Sequence, residues 1–192
     1  MPADWNLLAS FKAHPTLPPA YPTNVRSFYA PQDHIHALLV ALLSEVSQSL
    51  VLNMYGYDDD QLNNLVLAIA RDPHKYVQIS LDASQAIGPR EQKLVAQLQA
   101  SPGTNVAIGT STRHAISHLK VAILDGLYTI TGSTNWSMSG ENDQDNQLLV
   151  FNDPAIAAEA RTILDANHAY MLSQSRPQPN PQPNPQHPAR PS

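Results

Sequence analysis

Apolar and polar positions along this chain follow two periods, and the change from one to the other divides it. Val25 to Tyr29 reads as a short strand. Pro31 and Asp33 then open a helix to about Gln48, with Ile35, Leu38, Leu39, Leu42, Leu43 and Val46 at helical spacing. Ser49 to Tyr55 is an apolar strand that ends at Gly56. Asp58, Asp59 and Asp60 follow, where a helix N-terminus favours negative charge, and that helix runs to about Arg71. Tyr76 to Leu81 gives a third strand ending at Asp82, Pro89 to Gln99 a third helix, and Val106 to Ile108 a fourth strand. This alternation argues for an α/β sheet with at least some parallel pairs. The second half changes character. Val121 to Leu124 and Leu127 to Thr131 flank Asp125-Gly126, a hairpin turn signal. A further strand near Gln147 to Phe151 and a closing helix from Pro154 to about Met171 complete the pattern.

The two ends lie outside this periodicity. Residues 1–24 hold Pro15, Pro18, Pro19 and Pro22, and proline removes amide donors and fixes φ, so a loose or extended lead-in is expected. Trp5 and Phe11 in it either dock on the domain or are incidental to a flexible arm. Residues 173–192 alternate Pro with Gln and Asn, a composition that buries no core. This tail either meets a proline-reading partner or is an inert terminus. One domain, residues 25–172, is expected between them.

Composition narrows the classes. With 192 residues the chain is long enough for a proper core. Its net charge of -5 gives no strongly basic footprint, so any nucleic-acid contact must be local. The absence of cysteine rules out disulfides and thiolate metal sites. No basic region precedes a long apolar run at the N-terminus, and no apolar stretch approaches the ~20 residues that cross a bilayer. A soluble cytoplasmic protein without stable membrane insertion is expected.

The chemistry concentrates in residues 118–135. His118 and Lys120 lie two apart, so on a strand both side chains share a face. The predicted hairpin returns the chain to a small polar loop with Ser133 and Asn135. A base or nucleophile, a fixed cation and two neutral hydrogen-bonding groups thus meet at one end of a sheet, the parts needed to hold and attack a phosphodiester. His118-x-Lys120, then Asp125, then Gly132-Ser133-x-Asn135, with fixed gaps, resembles the HKD signature of the phospholipase D superfamily.

That resemblance implies a mixed β-sheet flanked by helices on both faces, with one motif per chain where its larger members carry two. It also implies a phosphodiesterase that works through a phosphohistidine. One motif's His attacks phosphorus, a second motif's His protonates the leaving oxygen, and Lys120, Ser133 and Asn135 hold the nonbridging oxygens. Neither a cofactor nor a metal is implied. No other His here has Lys two residues on. The two-histidine site then requires a homodimer with both His118 side chains across a two-fold axis.

Other residues qualify the picture. Relatives carry a Glu on the strand after the Asn loop that orients the catalytic imidazole; without gaps that position is Asn146, and with a shorter loop it is Asp145. Asp125 is expected to fix the turn. Arg113 is a candidate phosphate contact and His114 a candidate substrate-loop residue. Trp136 either stacks on a base or packs under the loop. His34 and His36 point about 200° apart on a helix, so they read as surface histidines. Asp58, Asp59 and Asp60 read as a helix cap, lacking the ligand spacing of a calcium loop. The resulting expectation is a metal-independent endonuclease. A lipid phosphodiesterase acting on a substrate such as cardiolipin, and a catalytically weak dimeric binding module, are the alternatives.

Overall fold

The computed structural model describes residues 5–174. Seven strands form one sheet in the order β1-β7-β6-β5-β2-β3-β4. They are β1 (Val25–Ala30), β2 (Ser49–Met54), β3 (Tyr76–Asp82), β4 (Thr104–Gly109), β5 (Lys120–Leu124), β6 (Tyr128–Gly132) and β7 (Asn146–Asn152). β2, β3 and β4 pair in parallel, and every other pair is antiparallel. The helices α2 (Asp60–Ala70) and α3 (Pro89–Ala100) supply the crossovers that parallel neighbours require. The mixed sheet is therefore as the sequence pattern implies. The helix predicted to reach Gln48 stops earlier, at α1 (Ile35–Ser44), because Val46 turns back into the core ahead of β2.

Strand alternation sorts the core onto two faces. Leu50, Leu52, Val77, Ile79, Ala122, Leu124 and Ile130 pack with Leu38, Leu39, Leu62, Val66 and Leu98 from α1, α2 and α3. On the reverse face α5 (Pro154–Gln174) covers a smaller apolar cluster of Val51, Ile123, Ala157 and Leu164. That face also holds polar groups in pairs. Gln78 donates to Asp165, and Ser80 lies 2.9 Å from His168 Nδ1. Burial lowers the His168 pKa, as expected for an imidazole kept neutral inside the fold.

The described start of the N-terminal arm packs on the domain. Trp5–Phe11 forms a 3-10 helix that buries Leu8 against the domain. The Trp5 ring lies 4.8 Å from the Arg26 guanidinium and 5.9 Å from the Tyr128 ring. Its indole N–H donates to the Thr23 carbonyl, and Lys12 pairs with Asp33 at 3.6 Å. Proline density describes residues 15–22 but not the aromatic turn ahead of them, so the boundary at residue 25 cuts through packed structure. The proline-rich tail lies outside the described residues. Among those described, no helix is long and apolar enough to cross a membrane.

Candidate active site at the open end of the hairpin

Because β5 runs antiparallel to β2 and β6, the start of β5, the end of β6 and the end of β2 meet at one end of the sheet. Lys120 opens β5 opposite Met54, and its side chain is buried there. Its ammonium lies 4.6 Å from the centre of the Tyr55 ring and donates to the His118 carbonyl at 3.1 Å. Burial lowers the Lys120 pKa, since desolvation disfavours the charged form. The His118 ring is exposed and meets the same Tyr55 edge-on, with centroids 4.5 Å apart. Tyr55 thus separates and orients the motif's His and Lys. Its only sequence signal is its place at the end of an interior strand.

The segment that delivers His118 is pinned from below. The Ser117 amide donates to Asp82 at 2.5 Å, and the Ser117 hydroxyl donates to Asn53 at 3.3 Å. Both acceptors are buried at the ends of central strands, so His118 leaves the sheet from a fixed point. Sequence alone does not mark Asp82 or Asn53 for this role, because a polar residue at a strand end carries no distinctive pattern.

Across the hairpin, Gly132 has φ 142°, and a Cβ there would lie 2.1 Å from the Gln147 carbonyl oxygen, so this motif position admits only glycine. The Ser133 hydroxyl donates to Asn146 Oδ1 at 2.8 Å and accepts from the Gln147 amide at 3.0 Å. The Asn135 carbonyl oxygen Oδ1 accepts from the Gly56 amide at 3.1 Å, which leaves the donors of its NH2 group unspent among the described residues. Asn146 also donates to the Gly140 carbonyl at 2.9 Å. Its amide is therefore engaged by Ser133 and Gly140, and Asp145 is exposed; neither is hydrogen-bonded to His118 within the described chain.

The other sequence candidates are placed as follows. Asp125 is at the opposite end of β5, where it accepts from the Ser47, Gln48 and Ser49 amides at 3.0, 2.8 and 2.9 Å and from the Ser47 hydroxyl at 2.8 Å. It is a turn residue and not a member of the site. Trp136 is 1% exposed, packed beside Tyr57, so it does not stack on a substrate base. His114 sits with φ 58° in an exposed loop, where its ring meets Tyr170 edge-on. Arg113, its neighbour, is exposed. His36, read as a surface histidine, is instead half-buried against two carboxylates.

The model of the cardiolipin synthase, PLD-like domain family matches residues 39–167. A phospholipase D from Rickettsia typhi is 25% identical over 144 residues, covering 75% of this chain and 68% of that protein. A phospholipase D from Rickettsia prowazekii is 25% identical over 135 residues, covering 70% of this chain and 63% of that one. Among solved structures, NucT from Helicobacter pylori superposes with a TM-score of 0.68 at 22% identity, covering 78% of this chain and 95% of its own. Nuc from Salmonella typhimurium, a phospholipase D family member, gives 0.66 at 20% identity, covering 74% and 92%. At these identities the two structures show the fold.

Proposed function

The chain belongs to the phospholipase D superfamily of phosphodiesterases, and on that premise we propose that it is an endonuclease, cleaving nucleic acid as a homodimer through a phosphohistidine on His118. The observation that carries this reading is the convergence of an exposed His118, a buried Lys120 and an Asn135 amide with unspent donors at one end of the central strands. A neutral imidazole is a competent nitrogen nucleophile near pH 7. His118 of one chain attacks phosphorus as the P–O bond to the leaving alcohol breaks. The same residue of the second chain gives that oxygen its proton. Water, deprotonated by the second imidazole, then displaces His118 and releases a phosphomonoester. Lys120 spends one of its three N–H donors on the His118 carbonyl, and the other two serve the nonbridging oxygens with Asn135. No step needs a metal at phosphorus.

Nucleic acid is favoured over lipid by where the apolar surface lies. A groove of about 290 Å³, lined by Leu119, Val121, Thr131 and Ile163 among others, runs along α5. Val121 alternates with Lys120 on β5, so the groove is on the reverse face and does not bring an acyl chain to the phosphate site. Arg113, exposed in the loop before His118, offers a second cation to a backbone phosphate.

Single- and double-stranded DNA, RNA and anionic phospholipid vesicles, each incubated with wild type and His118→Ala, test the proposal. The expected result is cleavage of nucleic acid that falls at least about a thousandfold in the variant, with an acid-labile phosphoprotein trapped in wild type. Excess His118→Ala mixed into wild type should titrate activity away as inactive heterodimers form. Headgroup release from vesicles with nucleic acid intact would move the substrate to lipid. A stable dimer without turnover on any substrate would make the chain a binding module.

A further inference from the structure

Three side chains outside the His118 site converge where α1, α2 and the short helix α4 (Met138–Asn142) meet: His36, Asp59 and Glu141. His36 Nδ1 lies 2.6 Å from Glu141 Oε2 and 3.3 Å from Asp59 Oδ2, and both carboxylate side chains are 0% exposed. His36 Nε2 lies 3.0 Å from the Gln61 carbonyl oxygen, which can only accept. That contact places a ring N–H on Nε2, and Nδ1 faces the two acids, from which only a proton or a cation can separate it. Asp59 Oδ1 caps α2 by accepting from the Leu62 amide, while its buried Oδ2 has no hydrogen-bond donor among the described residues. Glu141 Oε1 is buried and lacks one as well.

Ligand-type atoms of one imidazole and two buried carboxylates therefore face one another around a position that a proton or a cation must fill. Buried acids in that position take up a proton or a cation.

We propose that this cluster is a structural site for a divalent transition-metal cation, Zn²⁺ in the first instance, held by His36 Nδ1, Asp59 Oδ2 and the Glu141 carboxylate. One imidazole and two carboxylates suit a borderline cation with few ligands; Ca²⁺ and Mg²⁺ demand six or more oxygens. Ligand atoms of all three residues lie within 4.8 Å of one another. Around zinc, with bonds of about 2.1 Å, tetrahedral ligand atoms stand about 3.4 Å apart. The Asp59 contact already has that spacing, and the Glu141 contact opens by under about 1 Å once its proton leaves. The His36 side chain is 23% exposed, so a water completing the fourth position would enter beside it. Gln61 and the Leu62 amide hold the outer faces of the His36 and Asp59 ligands.

The ion ties together the starts of α1 and α2 with α4. Ser137 caps α4 two residues after Asn135, and the Gly140 carbonyl of α4 accepts from Asn146, the partner of Ser133. The cation thus braces the loop that carries Ser133 and Asn135 without touching the phosphate.

Full-length protein stripped with a chelator and titrated with ZnCl₂ by calorimetry, in buffers of different ionisation enthalpy, tests the site. One Zn²⁺ per chain should bind with proton release and raise the Tm. Co²⁺ in its place should give visible d–d absorption bands. His118→Ala should keep this stoichiometry, and Glu141→Gln should weaken the site at least a hundredfold. Should Glu141→Gln fail to fold by circular dichroism, proton release and the Co²⁺ spectrum in wild type decide the matter. Equal affinity in a folded Glu141→Gln, loss of binding in His118→Ala, or a wild-type Tm indifferent to Zn²⁺ would each overturn the proposal. Mg²⁺ or Ca²⁺ binding as tightly as Zn²⁺ would overturn the cation class.

Discussion

The two ends of the β5–β6 hairpin carry the same kinds of polar group and use them in opposite ways. At the turn, Asp125 accepts three backbone amides and a hydroxyl from residues 47–49, a closed set. At the other end, the His118 ring is exposed, and Lys120 and Asn135 each retain donors after their internal contacts. A saturated carboxylate locks two strands in register, whereas donors held in place but left unspent are prepared for a ligand. The hairpin therefore separates folding from chemistry by about its own length, and each end can be perturbed alone.

The largest expected effect on stability is at the closed end. Asp125→Ala leaves three amides without their acceptor, and hydrogen bonds to a charged group contribute about 1.5–3 kcal/mol each before water replaces them. A loss of about 2–3 kcal/mol in unfolding free energy is expected, measured by urea denaturation, with kcat per folded molecule unchanged. The pH dependence follows with a definite sign. Burial alone would raise the Asp125 pKa, but the Ser49, Gln48 and Ser47 donors outweigh it and hold the carboxyl below the usual range. Its folded pKa thus lies below its unfolded pKa, so its contribution is complete above the unfolded value and is lost as pH falls through the folded one. Asp125→Asn should flatten that acid limb. A fall in kcat without loss of stability would break the division between the two ends.

A smaller effect is expected at the open end. A Cβ on Gly56 would lie 3.0 Å from Asn135 Cγ, so Gly56→Ala must push the Asn135 amide by a few tenths of an ångström. Displacements of ~1 Å can cost a hundredfold in rate, so about a tenfold fall in kcat is expected, with the urea midpoint nearly unchanged. An unchanged kcat would show that the Asn135 amide does not meet the transition state.

The two ends also differ in how legible they are in sequence. Asp125-Gly126 and the spacing from His118 to Asn135 are local patterns, and the backbone reproduces them, with positive φ at both Asp125 and Gly126 as the turn requires. What supports the open end is assembled across the chain. Tyr55, Asp82 and Asn53 reach it from strand ends, where one polar or aromatic residue has no periodic signature. The His36–Glu141 contact spans 105 positions, so no window of sequence contains it. Proline density misled about the arm because it marks loops, while the burial of Leu8 is decided by the sheet that it meets. Trp136 is ambiguous in sequence for a similar reason. An aromatic after the motif Asn reads alike whether it faces solvent or, as here, Tyr57.

The smallest expected effect is a shift within the open end itself. Lys120 must be an ammonium to hold a phosphate oxygen, and burial lowers its pKa below the ordinary lysine value. The rate should therefore fall on the alkaline side earlier than an exposed lysine would allow, as the charge is lost with rising pH through that depressed value. Substrate supplies negative charge that favours the ammonium, so kcat should lose activity at higher pH than kcat/KM does. Lys120→Arg removes the titration, since guanidinium stays charged throughout. Its residual activity, lower because the planar group fits the Tyr55 face differently, should show no alkaline limb from this position. An identical limb in Lys120→Arg would assign it to another group and remove Lys120 from the charge-bearing role that sets the open end apart from the closed one.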